Sequence, residues 1–335
     1  MGNGRDGRSR AFRLLGWAFV GLSLLFLAAL LLRQGEALGR LRADLSAFEW
    51  RLRPGWLAAA VAVGTVDLFL MAAVWVALFR ALGGRCGSVE GVRVWMTTNL
   101  GRYLPGKLWQ LSGLAVYMRE RRGAGAAALS AAALFQVLVL GTGAAVAAAA
   151  LGGRALRDGA FLPAAILLAL TLGVLLRPAL VGRLAGALAR RLGERPPDVV
   201  PGLRSLWGAG LALAAAWVLN GLGLWLVWRG SGGPPAPGPW TLSGVFAASY
   251  VAGYVVLFAP GGLVVREGAM AGLLAAVTGV PLGVGVAVSI VARLWTTATE
   301  LVGLALAWLP AARGGGGRAG EGTADGGAGE PEVPG

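Results

Sequence analysis

Six stretches of the chain, residues 13–32, 55–79, 126–151, 160–176, 206–228 and 282–309, are apolar over about the length of a bilayer span. A helix rises about 1.5 Å per residue, so roughly 20 apolar residues cross a hydrocarbon core of about 30 Å. Backbone amides in lipid must be satisfied within their own segment, which leaves helices as the economical solution for runs of this length. A length of 335 residues would otherwise suggest two soluble domains. With 56% hydrophobic and 14% charged residues, the composition agrees with the runs instead. The expectation is an all-α, polytopic membrane helix bundle. Residues 1–12 read as a disordered basic N-terminus, 13–309 as the transmembrane domain, and 310–335 as a disordered glycine-rich tail.

Charge orients the bundle. The net charge is +14, mostly arginine. Nucleic acid is not the expected partner, because the arginines cluster in loops between apolar runs. Twenty of the thirty Lys and Arg residues fall in residues 1–13 and 310–335 and in segments 80–125 and 177–204, and eight fall in the alternate loops. That bias places both termini on the cytoplasmic side of the membrane. Segment 177–204 reads as a basic surface helix with Leu180, Leu184 and Leu188 on one stripe. The thirteen tryptophans read mostly as residues of the interfacial belts. There is no histidine, which excludes histidine bases and ligands, and the single cysteine, Cys86, excludes an intrachain disulfide. No cofactor, metal or enzymatic activity is expected.

Two places break the apolar pattern. At 259–268 the chain reads Ala-Pro-Gly-Gly-Leu-Val-Val-Arg-Glu-Gly between apolar flanks. Pro260 removes a backbone donor, and Gly261 and Gly262 open backbone angles closed to other residues, so one helix stops and another starts. A new helix N-terminus carries partial positive charge, and Arg266 adds a full one, beside Glu267. At 99–107 a similar Gly, Tyr and Pro-Gly sequence precedes Lys107. The apolar parts flanking Pro105 and Gly106 are too short for two spans, which points to a re-entrant hairpin. The positive-inside layout sends the two breaks in from opposite faces. The expected arrangement is therefore about six full transmembrane helices plus two broken or re-entrant helical hairpins in an inverted repeat. Such paired breaks mark transport sites near the midplane.

Ionisable residues inside apolar runs are the candidate site residues. Arg293 and Glu300 lie seven residues apart on one helix face, near Thr296 and Thr297. They read either as headgroup-binding groups or as structural partners of the break, Arg293 with Glu267 or Glu300 with Arg266. Arg102, Tyr103 and Lys107 flank the first break, where a phosphate would meet two cations and helix amides. Asp67 and Gln136, buried mid-run, are candidates for coupling or for holding neighbouring helices. The expected ligand is a membrane phospholipid headgroup. The alternative is a non-transporting partner or regulator of a separate lipid-modifying or envelope-synthesis enzyme.

The segments Gly101-Arg-Tyr-Leu-Pro-Gly-Lys107 and Pro260-Gly-Gly-Leu-Val-Val-Arg-Glu-Gly268 resemble those of the flippase-like transmembrane domain of bacterial lysylphosphatidylglycerol synthases. The second follows a family pattern Pro-Gly-Gly-Leu-Gly-Val-Arg-Glu-Gly, with Val264 standing where relatives carry glycine. The resemblance spans residues 13–309. It implies movement of a phospholipid or lipid-linked headgroup between leaflets, with both breaks forming the site. Only a short tail follows residue 309, in place of an aminoacyl-transfer domain, so synthesis of lysyl-lipid is not expected.

Overall fold

The computed structural model describes residues 51–103, 108–152, 161–194, 196, 199–232, 237–255 and 265–309. Among these, all regular structure is helical. Helix α1 is Pro54–Ala81, α2 is Ser88–Asn99, followed by a 3₁₀ turn Leu100–Tyr103, and α3 is Leu108–Arg122. Then come α4 (Gly125–Leu151), α5 (Phe161–Leu176), α6 (Pro178–Arg191), α7 (Leu203–Gly230), α8 (Pro239–Val255), α9 (Val265–Thr278) and α10 (Leu282–Trp308). Helix α1 opens on a proline at its first position, where a missing N–H costs nothing.

Four helices, α1, α4, α7 and α10, are each long and apolar enough to cross a membrane. Of the six expected spans, 13–32 lies outside the described residues. Helix α5 has 16 residues and turns by 94° into α6, so it forms at most part of a bent span. The expected surface helix 177–204 is shorter than its charge pattern: α6 ends at Arg191, and residues from Leu203 belong to α7. Its buried stripe is Val181, Ala185 and Ala189, while Leu180 and Leu184 face outward. Small residues let α6 lie close to α4, and the leucines are left for lipid.

The order long helix, hairpin, long helix occurs twice. Helices α1 and α7 have 28 residues each, and α4 and α10 have 27 each. The first hairpin is α2–α3. Arg122 at its exit pairs with Glu90 at its entry at 2.7 Å, and Gln110 donates to Asn99 Oδ1 near its tip at 2.9 Å. Both ends of this hairpin therefore lie at the arginine-rich end of the bundle. The second hairpin is α8–α9. Arg53 N donates to Gly230 O at 2.8 Å, so α1 and α7 run antiparallel. Helix α8 thus starts at the opposite end, about 25 Å of helix carries it inward, and α9 returns. The two helix pairs therefore start from opposite ends of the bundle. Gln136 and Arg293 are each the twelfth residue of the long helix that follows their hairpin.

Glycines set the spacing of the long helices. A Cβ at Gly303 would lie 2.6 Å from a Leu68 methyl, and one at Gly143 would lie 2.8 Å from the Trp217 ring. Trp295 lies in two such notches at once, against Gly64 of α1 and Gly223 of α7, and donates to Ala60 O at 2.8 Å. Close backbone approach is how helices gain packing where lipid offers no hydrophobic driving force. The core follows suit. Trp75, Trp95, Trp217, Trp228 and Trp295 are buried rather than seated in an interfacial belt. Their rings pack on other aromatics, Trp75 on Phe79 and Trp95 on Phe135. Trp207, Trp240 and Trp308, near helix ends, keep the belt character.

Candidate functional site

A narrow cavity opens near the middle of the long helices. Its walls come from α1, α4, α7, α8, α9 and α10, so both halves of the chain contribute. The lining is aromatic and apolar, with a few polar groups converging from different helices: Asp67, Asn220, Tyr250, Arg266, Thr296, Thr299 and Glu300. This is the composition of a ligand pocket, apolar walls with few polar fixtures.

Each polar group is carried there by a specific local feature. Asp67 lies near the centre of α1, 6% exposed, and accepts from Asn220 Nδ2 of α7 at 2.9 Å. Asn220 also donates to Ala216 O at 2.9 Å. Arg266 is the second residue of α9 and is 8% exposed. Its guanidinium carbon sits 4.8 Å from the Phe246 ring centre and 5.7 Å from that of Tyr250, both on α8. A guanidinium so placed is stabilised by the ring faces in a site where water is scarce. Gly253 makes room for it: a Cβ there would lie 2.8 Å from the Arg266 Cβ. The hairpin thus delivers a positive charge to the level of Asp67 and Asn220. Trp217 closes another wall, donating to Thr142 Oγ1 at 3.1 Å and packing edge-on against Tyr250.

A smaller recess adjoins the cavity and shares Arg266 with it. Here Arg293 of α10 faces Glu267 of α9 at 3.8 Å. The Arg293–Glu267 pairing is one of the two that the sequence suggests. Arg293 and Glu300, two turns apart on α10, therefore serve neighbouring spaces, Arg293 the recess and Glu300 the main cavity.

Of the candidate residues, Asp67, Arg266 and Glu300 line one cavity, and Glu267 and Arg293 stand beside it. Gln136 is not among the lining residues; its Nε2 is buried in α4 without a hydrogen-bond partner. Arg102 and Tyr103 lie on the 3₁₀ turn of the first hairpin. Pro105, Gly106, Lys107, Pro260, Gly261 and Gly262 lie outside the described residues. Sequence reasoning left Asn220 without a role and did not select Trp217, Tyr250, Trp295 or Thr299. A lone amide in the middle of an apolar run was the available signal for Asn220. The aromatic residues carry no such mark among thirteen tryptophans.

The chain matches the family model described as the lysylphosphatidylglycerol synthase TM region over residues 13–303. No curated protein and no solved structure matches it. The match covers α1 to α9, α10 as far as Gly303, and every residue of the cavity. This multi-pass membrane protein belongs to the lysylphosphatidylglycerol synthase transmembrane-region family.

Proposed function

We propose that the protein moves a phospholipid or lipid-linked headgroup between the leaflets of a bacterial cytoplasmic membrane, with both chain termini in the cytoplasm. The observation that carries this reading is Arg266, a buried cation at the start of α9, lining a polar-fitted cavity near the bundle centre. An intramembrane charge is expensive and is kept where it meets a ligand or a partner. The headgroup phosphate meets Arg266 and the positive end of α9, while the acyl chains stay in lipid. Arg102 and Lys107 offer the same chemistry from the other hairpin. The family's description, naming a synthase of an aminoacylated phospholipid, supports a lipid headgroup as cargo. The arginine-rich end of the bundle supports the orientation.

The test is translocation in proteoliposomes, using fluorescent phospholipid and aminoacylated phospholipid. The full chain should exceed empty vesicles, and Arg266→Ala should lower the rate at least about tenfold, the loss of one charged contact of about 1.4 kcal/mol or more. Rates equal to those of empty vesicles for both lipids would overturn this reading and favour a non-transporting partner of an envelope enzyme.

A further inference from the structure

We infer that the cavity also binds a small monovalent cation, a proton or Na⁺, between Asp67 of α1 and Thr299 of α10. Asp67 Oδ2 accepts from Asn220, but Asp67 Oδ1 is buried and has no hydrogen-bond partner. Asn220 cannot serve both oxygens, because its other contact is with Ala216 O. Thr299, 5% exposed, has a buried Oγ1 that is likewise unpartnered.

Thr299 is unusual among the hydroxyls of these helices. Thr65, Thr142 and Thr278 each donate to the carbonyl four residues back, at 2.6–2.8 Å, and Thr296 donates to Arg293 O at 2.9 Å. That back-bond is the usual resting place for a hydroxyl in a membrane helix. The Thr299 hydroxyl instead lies against Gly64, where a Cβ would come within 2.8 Å of its oxygen. Gly64 and Asp67 are one turn apart on one face of α1. Two buried oxygens without partners therefore line the same cavity wall. Leaving both unmade is costly in an apolar setting.

Charge selects the ligand. Among the described lining residues, two carboxylates, Asp67 and Glu300, face the cavity with the Arg266 guanidinium and the phenol of Tyr250. The adjoining Arg293–Glu267 pair is balanced. Helices α4 and α7 add no titratable group to the lining. On α2, Glu90 pairs with Arg122, and Arg93 donates to Ala307 O and Leu309 O. The open Oδ1 of Asp67 is the anionic side of this pair of atoms, so a cation or a proton completes it. A divalent ion wants more anionic oxygens, and no cluster of three acidic, Cys or His side chains occurs among the described residues. One open carboxylate oxygen and one open hydroxyl in the same lining suit a proton or Na⁺. On the transport reading above, headgroup and cation share one cavity, and a gradient of the cation then drives the headgroup.

The experiment uses the purified full chain and its Asp67→Asn and Thr299→Val variants. Unfolding midpoints are measured with Na⁺ replacing choline at constant ionic strength, and separately across pH. The wild type should shift by a few degrees in one of the two series, naming the cation, and both variants should lose that shift. Thr299→Val keeps the carboxylate and carries the comparison if Asp67→Asn does not fold. A wild type indifferent to both series, or variants that follow it in both, overturns the site. Translocation is then measured in vesicles under a Na⁺ or pH gradient. Translocation indifferent to both gradients, with the midpoint shift intact, removes the coupling alone. No translocation at all removes the transport reading and leaves the cation site standing.

Discussion

Asn220 donates from Nδ2 to Asp67 Oδ2 at 2.9 Å, joining two antiparallel helices from the two halves of the chain. The bond spans 153 residues of sequence and forms part of the cavity wall. Asn220→Ala takes the donor from Asp67 Oδ2, so that neither carboxylate oxygen is met. It should lower stability by about 1 kcal/mol, the usual scale of an interhelical polar bond in a membrane. Unfolding in detergent checks this, and an Asp67→Asn, Asn220→Ala double-mutant cycle should give a coupling of the same size.

Gly253 faces Arg266 across the second hairpin. Gly253→Leu should push the guanidinium off the Phe246 and Tyr250 rings. The expected outcome is a strong loss of headgroup translocation while the helix content, read by circular dichroism, is unchanged. Gly272, whose Cβ would meet no neighbour, is the control and should accept leucine without effect.

Glu267 and Arg293 form a half-buried pair at 3.8 Å. Removing one charge leaves the other in a low-dielectric recess, which costs more than the pair contributes. Glu267→Gln or Arg293→Gln should each destabilise the protein by about 2 kcal/mol, and the double substitution should recover part of that loss. By contrast, Arg122→Ala at the bundle's end should cost under about 1 kcal/mol, because its pair with Glu90 is exposed.

Cys86 lies between α1 and α2 at the arginine-rich end, and burial pushes its thiol above the ordinary range. The thiolate reacts, so alkylation at pH 7 should be slower than that of a free thiol and should accelerate as pH rises. Because Cys86 is the single cysteine of the sequence, a membrane-impermeant maleimide also reports orientation. Labelling is expected in inverted vesicles and not in intact cells.

Much of the bundle was legible because membrane helices announce themselves by length. Expected runs 126–151 and 282–309 differ by one residue at one end from α4 and α10. The helix breaks were legible too: α8 ends at Val255 and α9 starts at Val265, on either side of a proline and paired glycines that rarely fit inside an unbroken apolar helix. The partners of the intramembrane charges were harder to read. Arg293 found Glu267, 26 positions away, but Asp67 found Asn220 through antiparallel packing that no local pattern encodes. The tryptophans misled for a related reason: interface and core tryptophan look alike in sequence, and a glycine on another helix decides between them. Trp295 is buried because Gly64 and Gly223 leave it room.

That ring also limits how the protein can move. With its edge keyed into one helix of each half and its nitrogen tethered to a third backbone position, α10 has no freedom to slide along either neighbour. Sliding would lift the indole out of both slots and strand its hydrogen. Any rearrangement of the bundle therefore carries α1, α7 and α10 together, as one post.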